Sequence, residues 1–259
     1  MRRLSLLALI VLALSLCGVH TAQAAAGAYS ALGDSYSSGT GSRTYYSDSG
    51  SCQRSPYAYP VLVAQQKGAT LTFAACSGAR IADVQNNQLG SLNASTAYVT
   101  VSAGGNDAGF RSVITQCAKP WPYTCTTEIN NANNTIRNTI PGRLDSLYNA
   151  VRSRAPNARV TVVGYPRLFN GEECNALARI SPGEQSELNK SADLLAGVIS
   201  ARAAAHGFAF VDPRSAFTNH AVCDDTEWIN GLSNPISESY HPNRTGQSAG
   251  YTPLVAARM

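Results

Sequence analysis

The run Ala28-Tyr29-Ser30-Ala31-Leu32-Gly33-Asp34-Ser35-Tyr36-Ser37-Ser38-Gly39 sets a short, mostly apolar segment directly against a glycine-bounded polar turn. Ala28–Leu32 has the length and composition of a buried strand, and Gly33 ends it. A serine just past a strand, with glycine before it, can be held on a tight turn that leads into a helix. Its hydroxyl is then exposed and its own N–H points into the same space as an oxyanion donor. An Asp34 or Ser35 side chain that merely caps a helix start would give the same local pattern.

Outward from that turn, strands and helices alternate. Ser55-Pro56 offers a cap followed by proline at the first helical position, predicting a helix to about Gln66 that Gly68 stops. Thr70–Ala75 and Ala97–Ala103 read as the second and third strands, and 107–156 as mostly helical, broken by the Cys117–Cys125 excursion and by Pro141. Arg159–Gly164 is the most β-branched run and is expected as a central strand. Ser181-Pro182-Gly183-Glu184 is a capping box opening a helix to about His206. Phe208–Val211 makes a fifth strand, and Thr245–Arg258 a closing helix. Strands separated by helices predict an α/β fold, a three-layer αβα sandwich on a five-stranded parallel sheet of flavodoxin-like type. In such sheets ligands sit beyond the carboxyl ends of the strands.

Arg2-Arg3, an apolar run from Leu4 to Cys17 and the ending Ala22-Gln23-Ala24 have the parts of a secretory signal peptide. The expected division is a signal over 1–24 and one domain over 25–259, with a secreted, extracellular product. The apolar run is short for a membrane span, and nothing later in the chain resembles one. Of the net charge of +4, two charges are Arg2 and Arg3; without them 18 basic residues face 16 acidic ones. No basic field remains for nucleic acid. Apart from Cys17, six cysteines are left, an even set that in an exported chain reads as disulfides. Sequential pairing (Cys52–Cys76, Cys117–Cys125, Cys174–Cys223) closes a local loop in each case. The absence of C-x-x-C spacing or interleaved histidines argues against a metal.

Three further strand ends carry chemistry. Cys76-Ser77-Gly78-Ala79 places a glycine where backbone can approach a ligand and offer an N–H, although glycine after a strand is also an ordinary turn. Gly104-Gly105-Asn106-Asp107 could turn the Asn106 amide into the same crevice, or could be an Asx turn. Glu238-Ser239-Tyr240-His241-Pro242 supplies a candidate base; His206 reads as a cation closing a helix and His220 lies in a polar loop. Tyr36, Phe110 and Trp121-Pro122-Tyr123 are candidates for the wall of an apolar groove, each also compatible with ordinary packing.

Together the four blocks resemble the SGNH hydrolases, also called GDSL lipases and esterases, and especially the secreted actinobacterial lipases and phospholipases. The similarity runs from Ala28 to the end: Gly33-Asp34-Ser35 match the first block (with Tyr36 where the family name has leucine), Gly78 the second, Gly104 to Asp107 the third and His241 the last. The resemblance implies Ser35 as nucleophile, His241 as general base, and an oxyanion hole from the Ser35 and Gly78 N–H groups and the Asn106 side chain. It implies a hydrolase of lipid or small esters, and it also fits sequential disulfides; the expected form is a monomer that needs no cofactor and does not insert stably in membranes. The family usually carries aspartate three residues before the histidine; here that residue is Glu238. Either its carboxylate or the Ser239 backbone carbonyl could orient the imidazole. A carbohydrate acetylesterase, or a binding protein on an inactive hydrolase scaffold, are the competing readings.

Overall fold

The computed structural model describes residues 27–259; the expected signal segment and its cleavage point lie outside them. Five strands, β1 (Ala28–Gly33), β2 (Thr70–Phe73), β3 (Thr96–Ser102), β4 (Arg159–Val163) and β5 (Ala209–Val211), form one sheet in the order β2-β1-β3-β4-β5. Every neighbouring pair is parallel. Burial follows position. The interior strands β1, β3 and β4 are buried over most of their length, on both faces, whereas the edge strand β2 alternates between exposed and partly buried residues. A sheet covered by helices on both sides demands apolar or small residues on both faces of its inner strands.

One face is covered by α2 (Tyr59–Lys67) and α8 (Thr252–Ala256), which pack on each other. On the other, α3 (Ile81–Asn87), α6 (Ile140–Arg154) and α7 (Pro182–Ala205) form the layer. Two more helices, α4 (Phe110–Cys117) and α5 (Thr126–Asn138), are joined by the Cys117–Cys125 disulfide, and α5 lies against α7. A single turn, α1 (Ser35–Ser38), follows β1. Disulfides Cys52–Cys76 and Cys174–Cys223 are the other two crosslinks among the described residues. Tyr29, Leu32, Tyr59, Leu144, Leu147 and Ile199 are among the side chains sealed in the core.

Several elements differ from the sequence reading. Helix α2 begins at Tyr59, not at Ser55-Pro56. Ser55 is buried, its N–H donates to the Ser38 carbonyl and its hydroxyl accepts from Tyr57 N–H, so it builds a turn, and Pro60 takes the first-turn position instead. β4 is interior, but the centre of the sheet is β3. Helix α3 has no counterpart in the sequence reading: its signal is short, and its first N–H is satisfied from a distance by the Asp107 carboxylate at 2.9 Å. The closing helix starts as a π-helical turn, Gly246–Tyr251, before α8. The Gln247 carbonyl there accepts both the Thr252 backbone N–H, five residues on, and the Thr252 hydroxyl at 2.8 Å.

Candidate active site

At the end of β1, Gly33 adopts φ +130°, and a β-carbon there would stand 2.5 Å from the Ser102 carbonyl oxygen. Only glycine allows the chain to cross β3 this closely. The Gln88 side chain then holds both polar groups of Gly33, at 2.7 and 2.9 Å. Asp34 caps α1, its Oδ1 accepting the Tyr36 N–H at 3.1 Å, so Ser35 is the first helical residue. The cap of this turn is thus Asp34, and Ser35, although nearly buried, is among the residues lining a cleft.

The Asp34 carboxylate is sealed beneath the turn, where it also accepts from the Ser102 hydroxyl at 3.0 Å and the Tyr165 hydroxyl at 2.5 Å. Burial pushes its pKa up to about 6, and these donors only partly oppose the shift. Tyr165 was not singled out from the sequence. Its position just past Gly164, at the carboxyl end of β4, is the same kind of signal that marks the other blocks.

Ser35 Oγ and His241 Nε2 are 2.8 Å apart, and His241 Nδ1 is 2.8 Å from the Ser239 carbonyl oxygen. A carbonyl can only accept, so Nδ1 carries the proton and Nε2 is the bare, basic nitrogen facing the hydroxyl. Burial lowers the imidazole pKa to about 4; the Ser239 bond raises it, and the Arg111 charge lowers it further. At neutral pH the ring is therefore neutral and able to accept a proton.

Glu238 does not contact the imidazole. Its Oε1 accepts from the Tyr45 hydroxyl at 2.7 Å, and its Oε2 lies 3.3 Å from Arg43 Nε. The carboxylate is almost wholly buried and ties the 43–45 segment to the loop that carries the histidine. Of the two orienting groups left open by the sequence, the carbonyl of Ser239 makes the bond.

Asn106 shares a cleft with Ser35, and its Nδ2 donates to the Ala79 carbonyl at 3.0 Å, leaving one amide hydrogen free. That bond joins the turn after β3 to the turn after β2, where Gly78 has φ +81° and open space around it. Gly78 is not part of the cleft wall itself. Among the described residues the Ser35 and Gly78 N–H groups donate to no protein acceptor. Asp107, beside Asn106, is a brace: it caps α3 and pairs with Arg143 at 3.0 Å.

From Ser35 the cleft continues as an apolar groove. Its walls come from Tyr36 and Tyr165 beside the serine, Phe110 and Val113 of α4, Ile136 of α5 and Leu195 of α7. Tyr36 and Phe110 thus lie where the sequence reading put the groove wall. Trp121, Pro122 and Tyr123 do not: they belong to the surface loop between α4 and α5 and project from it. The Cys117–Cys125 disulfide joins the loop's two ends, and its aromatic side chains are exposed.

The sequence matches the GDSL-like Lipase/Acylhydrolase family over residues 31–249. It is 45% identical to Lipase 1 of Streptomyces coelicolor over 248 residues, which cover 93% of this chain and 91% of that one. Among solved structures, it superposes on the extracellular lipase of Streptomyces rimosus with a TM-score of 0.86 at 42% identity, covering 90% of this chain and all of that one. Phospholipase A1 of Streptomyces albidoflavus gives the same TM-score at 46% identity, with coverages of 91% and 100%.

Proposed function

This chain belongs to the GDSL-like lipase/acylhydrolase family, and from that footing we propose that it hydrolyses lipid carboxylic esters through an acyl-enzyme on Ser35. The observation that carries the reading is the line Ser239 carbonyl–His241–Ser35, at 2.8 and 2.8 Å, opening directly onto an apolar groove. Ser35 Oγ attacks the ester carbonyl as its proton passes to His241 Nε2. The resulting oxyanion is received by the Ser35 and Gly78 N–H groups and the free hydrogen of the Asn106 amide. His241 returns the proton to the departing alcohol, and water then repeats the sequence on the acyl-enzyme. The Ser239 carbonyl holds the ring in the right tautomer and faces the imidazolium with the negative end of its dipole.

The apolar groove favours a long acyl chain over the acetyl group of a carbohydrate ester. The three disulfides and the extracellular relative support secretion, with residues 1–24 as the signal and 25–259 as the working domain. Among the described residues no helix is long and apolar enough to cross a membrane. The proposed working form is a monomer, which sedimentation would check.

The test is the initial rate on p-nitrophenyl esters from acetate to palmitate, for the chain and for Ser35→Ala. The variant is expected to lose about 10⁵–10⁶ in kcat, and the parent to keep its rate on the long chains. Phospholipid and triacylglycerol are then compared. A serine-dependent rate confined to acetate would point to the acetylesterase, and equal rates for the two proteins would sink the nucleophile.

A further inference from the structure

The loop that left the groove wall has a different use. Trp121 is 91% exposed and Tyr123 59%, and Leu177, in the loop leading to α7, is 85% exposed. These are large apolar side chains held in water, and a tryptophan so exposed is unusual. Their placement is not scattered. Cys125 Sγ lies 3.3 Å from Glu184 Oε1, and the Oε2 of the same carboxylate accepts from the α7 cap residue Ser181, so the 118–125 loop abuts the same end of α7 that the Leu177 loop feeds. A helix between parallel strands starts on the carboxyl side of the sheet, so this end of α7 stands at the edge where Ser35 and the groove open. The loop also links α4 to α5, whose inner faces carry Val113 and Ile136 into the groove.

We propose that Trp121 and Tyr123 form an anchor that seats this edge of the protein on a lipid surface, so that an ester lipid can pass from the surface into the groove. The chemistry of the loop favours that partner. Indole and phenol rings are amphipathic and settle at the headgroup level of a membrane. The Lys119 ammonium stands 5.5 Å from the Tyr123 ring centre and donates to Gln116, which puts a cation beside the aromatic pair for a lipid phosphate to meet. The patch is a handful of side chains, far below what a stable protein interface buries. Closure by Cys117–Cys125 limits the loop's freedom before it binds, which reduces the entropy lost on docking. The inference rests on the lipid-ester reading for the choice of surface alone.

The experiment uses the intact, disulfide-bonded chain carrying Ser35→Ala, so that vesicles of phosphatidylcholine survive the titration. The protein has two tryptophans, and Trp228 is packed against His220 and Phe217. Trp121 therefore dominates any response to lipid. Added vesicles are expected to shift the emission to the blue, and Trp121→Ser to remove the shift. In the chain that keeps Ser35, the rate on vesicles divided by the rate on dissolved p-nitrophenyl acetate should fall about tenfold in Trp121→Ser, the scale of one large apolar side chain lost from a membrane contact. Tyr123→Ser should lower the same ratio by less. No blue shift, or an unchanged ratio in both variants, overturns the anchor. So does sedimentation showing that the patch is covered by a second copy. Vesicle binding by a chain that cleaves no ester would remove the proposed function and leave the anchor standing; ester cleavage without vesicle response would do the reverse.

Discussion

Ser35 and His241 meet at 2.8 Å, yet the segments that deliver them are held in different ways. Ser35 sits on the end of a buried strand, and its turn is shaped locally by Gly33, the Asp34 cap and the first turn of α1, then clamped from beneath by Gln88, Ser102 and Tyr165. His241 sits on a loop with only a short 3₁₀ turn at Ile236–Glu238 and one antiparallel bridge, Ile229 with Pro242. Bonds spanning about two hundred residues of chain hold that loop. The Tyr36 hydroxyl donates to the Tyr240 carbonyl at 2.8 Å, Asn230 Nδ2 to the Gly41 carbonyl at 3.0 Å, and Arg244 Nε to the Ser42 carbonyl at 2.9 Å. Tyr240, just before the histidine, is in the left-handed region at φ +59°, a conformation that persists only where its surroundings enforce it. Space is correspondingly tight: a β-carbon on Gly41 would stand 2.9 Å from that of His241. Both are clamped by distant partners, but the nucleophile's turn is also shaped by its own neighbours in sequence, whereas the base's loop is held mainly by its neighbours in space.

The contrast predicts that damage near Ser35 is severe and damage around His241 is graded. Asn106→Ala removes a donor from the proposed hole and should lower kcat by about 10²–10³ with little change in KM; an effect confined to KM would take Asn106 out of the hole. Glu238→Ala should cost less than tenfold, because it loosens the tether to Tyr45 and Arg43 while the Ser239 carbonyl still holds the ring. A loss near 10⁴, the scale for a triad acid, would show that the carboxylate acts on the imidazole after all and would erase the contrast.

The acid side sharpens the comparison next. With His241 lowered to about 4, kcat/KM should climb through that pH and be level by pH 6 to 7; a limb near the ordinary imidazole value of 6.5 would mean that the ring is not sealed as described. The smallest effect concerns stability. His241 titrates lower in the fold than in the unfolded chain, so its contribution is present above 6.5 and lost as pH falls through about 4. Asp34 is raised from 3.8 to about 6, so its contribution is present below 3.8 and lost as pH rises through about 6. The two slopes oppose each other over nearly the same window. Asp34→Asn should therefore leave the histidine slope unopposed, and the Tm of the variant should drop more steeply than the parent's between pH 6 and 4. Parallel curves would show that Asp34 does not titrate in that window.

The strand-and-helix alternation, the parallel five-stranded sheet and the Ser35 turn were legible because each is written in a short window: an apolar run, a glycine where φ must be positive, a cap and its box at Ser181–Glu184. Errors fell where a local signal had a distant competitor. Ser55-Pro56 looks like a helix start, but the chain makes only a turn there before Pro60 opens α2, and α3 is a short helix whose first N–H is taken by the distant Asp107 carboxylate. Trp121-Pro122-Tyr123 reads as groove wall by composition, because composition does not say which way a disulfide-closed loop faces.

By itself, then, the sequence determined the layered α/β architecture, the residue types at four strand ends and the even set of cysteines, all of them carried by periodicity, spacing and side-chain chemistry that act over a few residues. Only the tertiary structure decided what orients His241. Glu238 and the Ser239 carbonyl are one residue apart in the chain, and the choice between them depended on Tyr45 and Arg43, nearly two hundred residues away, taking the carboxylate. It also decided that the groove is walled by α4, α5 and α7 while the aromatic loop between two of them faces outward. Apolar residues look alike in sequence; whether one lines a core, a groove or a surface is set by which other segments pack against it.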